Sequence, residues 1–125
     1  MHPEAQLVIK VVAMPSDTNP NGDMFGGWIV SQMDLAAYMH VRGLTTARLV
    51  TVAIDNLSFH KPVFVGDCLT CYAHTERKGT TSLTVKITAM VERMTTREVE
   101  LVTEGNFVFV SIGPDRRPVP LPETA

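Results

Sequence analysis

Apolar and polar positions change their period along this chain. Residues 6–13, QLVIKVVA, are β-branched and apolar and stop at Met14-Pro15, which predicts a first strand followed by a loop. The loop SDTNPNGD is dense in turn-forming residues and leads into FGGWIVSQMDLAAYMHV, an apolar-rich run whose length favours a helix. That helix is expected to end near Arg42-Gly43, since glycine is favoured just past a helix C-terminus.

From Leu49 to Ile112 the period is two, punctuated at Pro62, Gly66-Asp67, Lys78-Gly79 and Thr95-Thr96, which predicts four strands. In SLTVKITAMVE, Leu83, Val85, Ile87, Ala89 and Val91 share one face, and Ser82, Thr84, Lys86, Thr88 and Glu92 share the other. The first face reads as core and the second as wet. Within LVTVAIDNLSF the apolar phase shifts between Ile54 and Leu57, which predicts a bulge around Asp55 and Asn56. One strand, one helix and four strands joined by short turns predict an α+β domain, a curved five-stranded antiparallel sheet wrapped around one long helix. The end PDRRPVPLPETA is rich in proline and charge, so residues 113–125 are expected to be an extended or flexible tail.

With 125 residues and 45% hydrophobic content, residues 1–125 have the size of a single domain with one real core. A net charge of −2 supplies no global basic field, which argues against non-specific nucleic-acid binding. The sequence shows no secretory leader pattern and no long uninterrupted apolar stretch, so a cytoplasmic protein without membrane insertion is expected. Cys68 and Cys71 have the C-x-x-C spacing, but residues three apart on a strand face opposite ways, so they read as inert thiols rather than a redox or metal pair.

Asp34 is the only carboxylate between Asp23 and Asp55, its neighbours are apolar, and no Lys or Arg lies between Lys10 and Arg42 to pair with it locally. It is either an acid on the wet stripe of the helix, one that meets a cation from elsewhere, or a functional carboxylate. Gly26 and Gly27 fall at the expected helix start, where free N–H groups and the positive dipole end would face a developing oxyanion; the plainer alternative is a turn and a packing contact. Gly27 and Asp34 are seven residues apart, about 10 Å along one helix at 1.5 Å per residue. They cannot serve one carbonyl within one chain, so a shared role requires two protomers. His40, His60 and His74 show no spacing typical of metal ligation. Signals of serine-hydrolase, nucleoside-triphosphatase and dinucleotide-binding folds, G-x-S-x-G, the Walker lysine loop and G-x-G-x-x-G, are absent from the sequence.

The segment MPSDTNPNGDMFGGWIVSQMDLAA resembles the signature of the YciA-type acyl-CoA thioesterases, a branch of the hotdog-fold superfamily. LVTVAIDNLSFHKPVFVGD, CYA, KGTTS and EGNFVFV continue the resemblance in order and spacing over nearly the whole chain. It implies a hotdog fold and hydrolysis of fatty acyl-CoA to free fatty acid and CoA, without metal or cofactor. The implied catalytic unit is a homodimer, assembled further as a trimer of dimers, a homohexamer. Carried over by motif, Asp34 is the catalytic carboxylate, Asn19 its polar partner from the loop and Gly27 the oxyanion donor. Asp34 would act as general base on water or as nucleophile through an anhydride. CoA is expected between the SFHKPV segment and the KGTTS turn, with Gly26, Phe59, His60, Lys61, Gly79, Thr80 and Ser82 as contacts, and Lys78, Arg116 and Arg117 as candidate phosphate partners.

Two rival functions remain. A hotdog dehydratase would need a loop histidine as acid–base partner, whereas this loop offers Asn19, which cannot shuttle a proton. A non-catalytic acyl-CoA sensor would use the same fold but gain little from an acid at Asp34.

Overall fold

The structure, a computed structural model, describes residues 1–122. Its elements are β1 (Gln6–Val12), a short 3-10 turn (Pro15–Asp17), α1 (Gly26–Arg42), β2 (Leu49–Phe59), β3 (Cys68–Lys78), β4 (Ser82–Glu92) and β5 (Val99–Ser111). All five strands form one antiparallel sheet in the order β1-β3-β4-β5-β2, so β1 and β2 are its edges.

Alternation explains how helix and sheet meet. Leu69, Cys71 and Ala73 of β3, Leu83, Val85, Ile87, Ala89 and Val91 of β4, and Phe107 and Phe109 of β5 are buried in one cluster with Ile29, Met33, Ala36, Ala37 and Val41 of α1. The helix thus lies on the inner face of the sheet, against β1, β3 and β4. Burying each of its larger apolar side chains contributes roughly 1.5–3 kcal/mol. The expected bulge in β2 is present: register slips between Asp55 and Ser58, where Asn56 adopts φ 57°.

Three expectations need amendment. Gly43 does end α1, but at φ −75°, so the left-handed freedom of glycine is not used; its N–H instead meets His40 O at 3.2 Å as the chain turns away. Thr88, expected on a wet face, is 7% exposed. It shares a cavity with Met1, His2 and His74, where the His2 ring stacks on His74 at 4.0 Å. The tail is extended yet docked over its described part: Val119 N–H donates to Ser111 O, Leu121 N–H donates to Thr80 O, both at 2.8 Å, and Leu121 packs on the core. Residues 123–125 of the expected tail lie outside the described residues.

Candidate active site

The loop before α1 is folded by its own polar residues. Asn19 Oδ1 accepts N–H bonds from Asn21 (2.9 Å) and Asp23 (3.1 Å), and Gly22 at φ +89° supplies the reversal. The Asn19 amide oxygen is committed to the loop, so its NH2 is the group that can address a ligand. Beyond the loop, Phe25 N–H donates to Asp17 O, and α1 begins at Gly26 with no side chain capping its first turn. Trp28 and Ile29 N–H both donate to Phe25 O, which leaves the N–H groups of Gly26 and Gly27 available to an anion or a polarised carbonyl oxygen.

A cavity of about 340 Å³ opens against this helix start, lined among others by Asn19, Gly26, Phe59, His60, Lys61 and Val63. A Cβ at Gly26 would stand 3.3 Å from Phe59 Cζ, so only glycine leaves the helix and the aromatic ring at their present separation. Five sequence candidates, Asn19, Gly26, Phe59, His60 and Lys61, are brought together here, with Gly27 next along the helix.

The other candidates lie elsewhere. Asp34 is half-buried at the middle of α1, and its Oδ1 accepts the hydroxyl of Thr51 on β2 at 2.9 Å. Among the described residues a neutral donor holds it, and Thr51 is the candidate site residue that the sequence did not reveal. Gly79, Thr80 and Ser82 form the turn between β3 and β4, where Gly79 N–H donates to Ser82 O at 2.8 Å. Ser82 pairs with Val110, which pairs with Val50, whereas Phe59 sits at the far end of β2. With about 3.3 Å per residue, the Val50 and Phe59 ends of β2 are separated by roughly 25–30 Å. Within one chain, Asp34, Thr51 and the 79–82 turn thus lie toward one end of the sheet, and the helix start with Phe59, His60 and Lys61 lies toward the other.

Histidines and thiols stay outside this arrangement except for His60. His74 is buried, with Nε2 on Glu76 at 2.9 Å, and His40 Nε2 meets Thr75 Oγ1 at 2.9 Å. Burial, with the nearby His74, holds His40 below its ordinary pKa. Both cysteines are free, and burial pushes the Cys71 thiol up to about 12, which keeps it protonated and unreactive. Among the described residues no group of three His, Cys, Asp or Glu side chains is placed to hold a metal ion. Arg116 and Arg117 are exposed on the tail and do not line the helix-start cavity.

Comparison with known proteins decides the family. Residues 21–98 match the family model of the Thioesterase superfamily. The acyl-CoA thioester hydrolase YciA of Salmonella typhimurium is 40% identical over 123 residues, covering 96% of this chain and 92% of that protein. Its Escherichia coli counterpart is 39% identical, covering 96% and 93%. The chain belongs to the YciA-type acyl-CoA thioesterases. Solved structures of thioesterases carry the same fold. The hexameric thioesterase of Yersinia pestis is 38% identical with a TM-score of 0.90, covering 98% of this chain and 100% of that one. A hexameric hotdog fold thioesterase of Campylobacter jejuni is 39% identical with a TM-score of 0.86, covering 94% and 90%. This YciA-type chain has the hotdog arrangement expected from its sequence, and no helix among its described residues is long and apolar enough to cross a membrane.

Proposed function

We propose that this acyl-CoA thioester hydrolase cleaves fatty acyl-CoA to free fatty acid and CoA in a site completed by two copies of the chain. The observation that carries the reading is the separation just described: Asp34, held by Thr51, lies toward one end of the sheet and the uncapped helix start toward the other. Each half lacks what the other has.

The free edge of β2 supports the way the halves join. Val52 is 55% exposed, and Ile54 of β2 with Leu35, Tyr38 and Met39 of α1 extend an apolar surface beside it. An unpaired apolar edge strand is a template for another strand. Two copies paired antiparallel about a two-fold axis near the middle of β2 set Thr51 of one against the partner's Phe59. Asp34 then lies by the partner's Gly27, and the 79–82 turn faces the partner's His60 and Lys61. The hexameric relatives make a trimer of such dimers the assembly we propose.

In this site Asp34 takes a proton from water as the water oxygen bonds to the thioester carbonyl carbon. The carbonyl oxygen gains negative charge facing the partner's Gly27 N–H. The C–S bond then breaks, the acid departs, and the thiolate leaves as CoA thiol after protonation. Direct attack by Asp34 instead expels the CoA thiolate and leaves an acyl–Asp34 anhydride, which water then hydrolyses to the same products. Asn19 shapes the loop and offers its NH2, and the reading calls for no metal or cofactor. A cytoplasmic location belongs to the same reading, in keeping with the two free thiols.

The test is complementation between two disabled chains. Asp34→Ala removes the acid, and Gly26→Val drives a side chain into Phe59 at the helix start. Co-expressed at equal levels, half the dimers are mixed and carry one intact site of two, so about a quarter of wild-type thiol release is expected. Absence of complementation would place both groups in one chain's site. A wild type that binds acyl-CoA without releasing thiol would make the protein a sensor.

A further inference from the structure

The segment carrying His60 and Lys61 is locked from behind by a side chain that does not itself line the helix-start cavity. Arg93, at the end of β4, is 14% exposed and spends its donors on three acceptors. Its Nη1 donates to Pro62 O and to Asp67 Oδ2, both at 2.8 Å, and its Nε donates to Glu100 Oε2 at 2.7 Å. Its guanidinium also lies 5.4 Å from the centroid of the Phe64 ring. Asp67, 4% exposed, accepts in addition the N–H groups of Phe64 and Met94, each at 3.0 Å. Residues 62–67 are therefore fixed to the β4–β5 hairpin by one buried arginine and one buried aspartate.

That segment forms one wall of the helix-start cavity. Pro62 and Val63 line it directly, and Val63 O receives the N–H of Met24, two residues before α1. We propose that Arg93 is a positioning residue for the CoA side of the site, holding Pro62 so that His60 and Lys61 face the cavity. This rests on the functional reading above. A surface ion pair would contribute little, whereas this guanidinium is withdrawn from water and grips a backbone carbonyl in the cavity wall. Phe25 is tied separately to Asp17, and Ile29 is anchored in the core, so the helix start keeps its place without Arg93. Loss of the latch should therefore act on binding more than on the chemical step.

The experiment compares Arg93→Met, Arg93→Lys and Glu100→Gln in the full-length protein, reading KM and kcat on an acyl-CoA, Kd for free CoA, and thermal midpoint. Arg93→Met is expected to raise KM and the CoA Kd about tenfold with kcat within about threefold of wild type, and Arg93→Lys to recover part of the loss. Glu100→Gln weakens the cluster without touching Pro62 and should lower the thermal midpoint while leaving KM near wild type. Wild-type KM and CoA Kd in a folded Arg93→Met protein overturn the proposal, as does an equal rise in Glu100→Gln, which would mark a general stability effect. Should Arg93→Met fail to fold, the Arg93→Lys to Glu100→Gln contrast decides by the same criteria. If the wild type binds CoA without hydrolysis, the functional reading fails while the CoA Kd still judges Arg93. If it binds none, both fall.

Discussion

Thr51 Oγ1 donates to Asp34 Oδ1 at 2.9 Å, joining the edge strand of the sheet to the middle of the helix it wraps. The bond fixes which carboxylate oxygen is occupied and leaves the other free to face water. Removing the donor in Thr51→Val should lower kcat about tenfold, the scale of a lost hydrogen bond to a charged group, with Thr51→Ser close to wild type. Asp34→Ala should cost two or more orders of magnitude. Steady-state thiol release, with circular dichroism to establish folding, checks both; wild-type kcat in Thr51→Val would leave the bond without a catalytic role.

Charge on the open strand edge should separate the subunits. Val52→Lys, or Ile54→Lys, places an ammonium where the proposed pairing brings two strands together. Size-exclusion chromatography with light scattering should show a smaller species, and thiol release should fall in parallel. Full activity in a dissociated protein would contradict the shared site.

Acid should loosen the latch at Asp67. Burial alone would raise its pKa, but the Phe64 and Met94 N–H groups and Arg93 outweigh it and hold the carboxyl below its ordinary value. A depressed folded pKa means the stabilisation is complete above the unfolded value of about 3.9 and is lost as pH falls through the folded one. Denaturant unfolding should therefore show a drop in stability below about pH 4 that is shallower in Asp67→Asn. Identical slopes in the two proteins would remove Asp67 from the account.

Gly66 sits at φ +92°, in the turn that aims Asp67 at Met94. An added Cβ would run into Met94 Sδ, a contact the exposed methionine relieves by rotating, so the backbone conformation sets the cost. Gly66→Ala should lose about 1–3 kcal/mol in thermal or denaturant unfolding. A wild-type midpoint would mean the turn accommodates the change.

Elements were legible in the sequence because their signals are local. Leu83 to Val91 alternate as a strand must, and Gly26-Gly27 after a turn-rich loop marks where the helix opens. Thr51 left little trace, since the register of β2 slips between it and Ala53 and its partner is 17 positions away. Arg93 left less, since its bond to Asp67 spans 26 positions and its bond to Pro62 spans 31. A single sequence displays periodicity well and says little about which distant polar groups meet. The alternation of β4 likewise did not reveal the burial of Thr88, which shares a cavity with Met1 and His2 from the start of the chain.

On the proposed shared site, the bare edge of β2 would make encounter a precondition for chemistry. A newly released chain would hold the acid and the helix start, yet stay silent until it found a sister, and fall silent again when diluted below the concentration that holds the pair. Turnover should thus rise more steeply than linearly with protein at low concentration, so abundance itself becomes a control on how fast thioesters are spent.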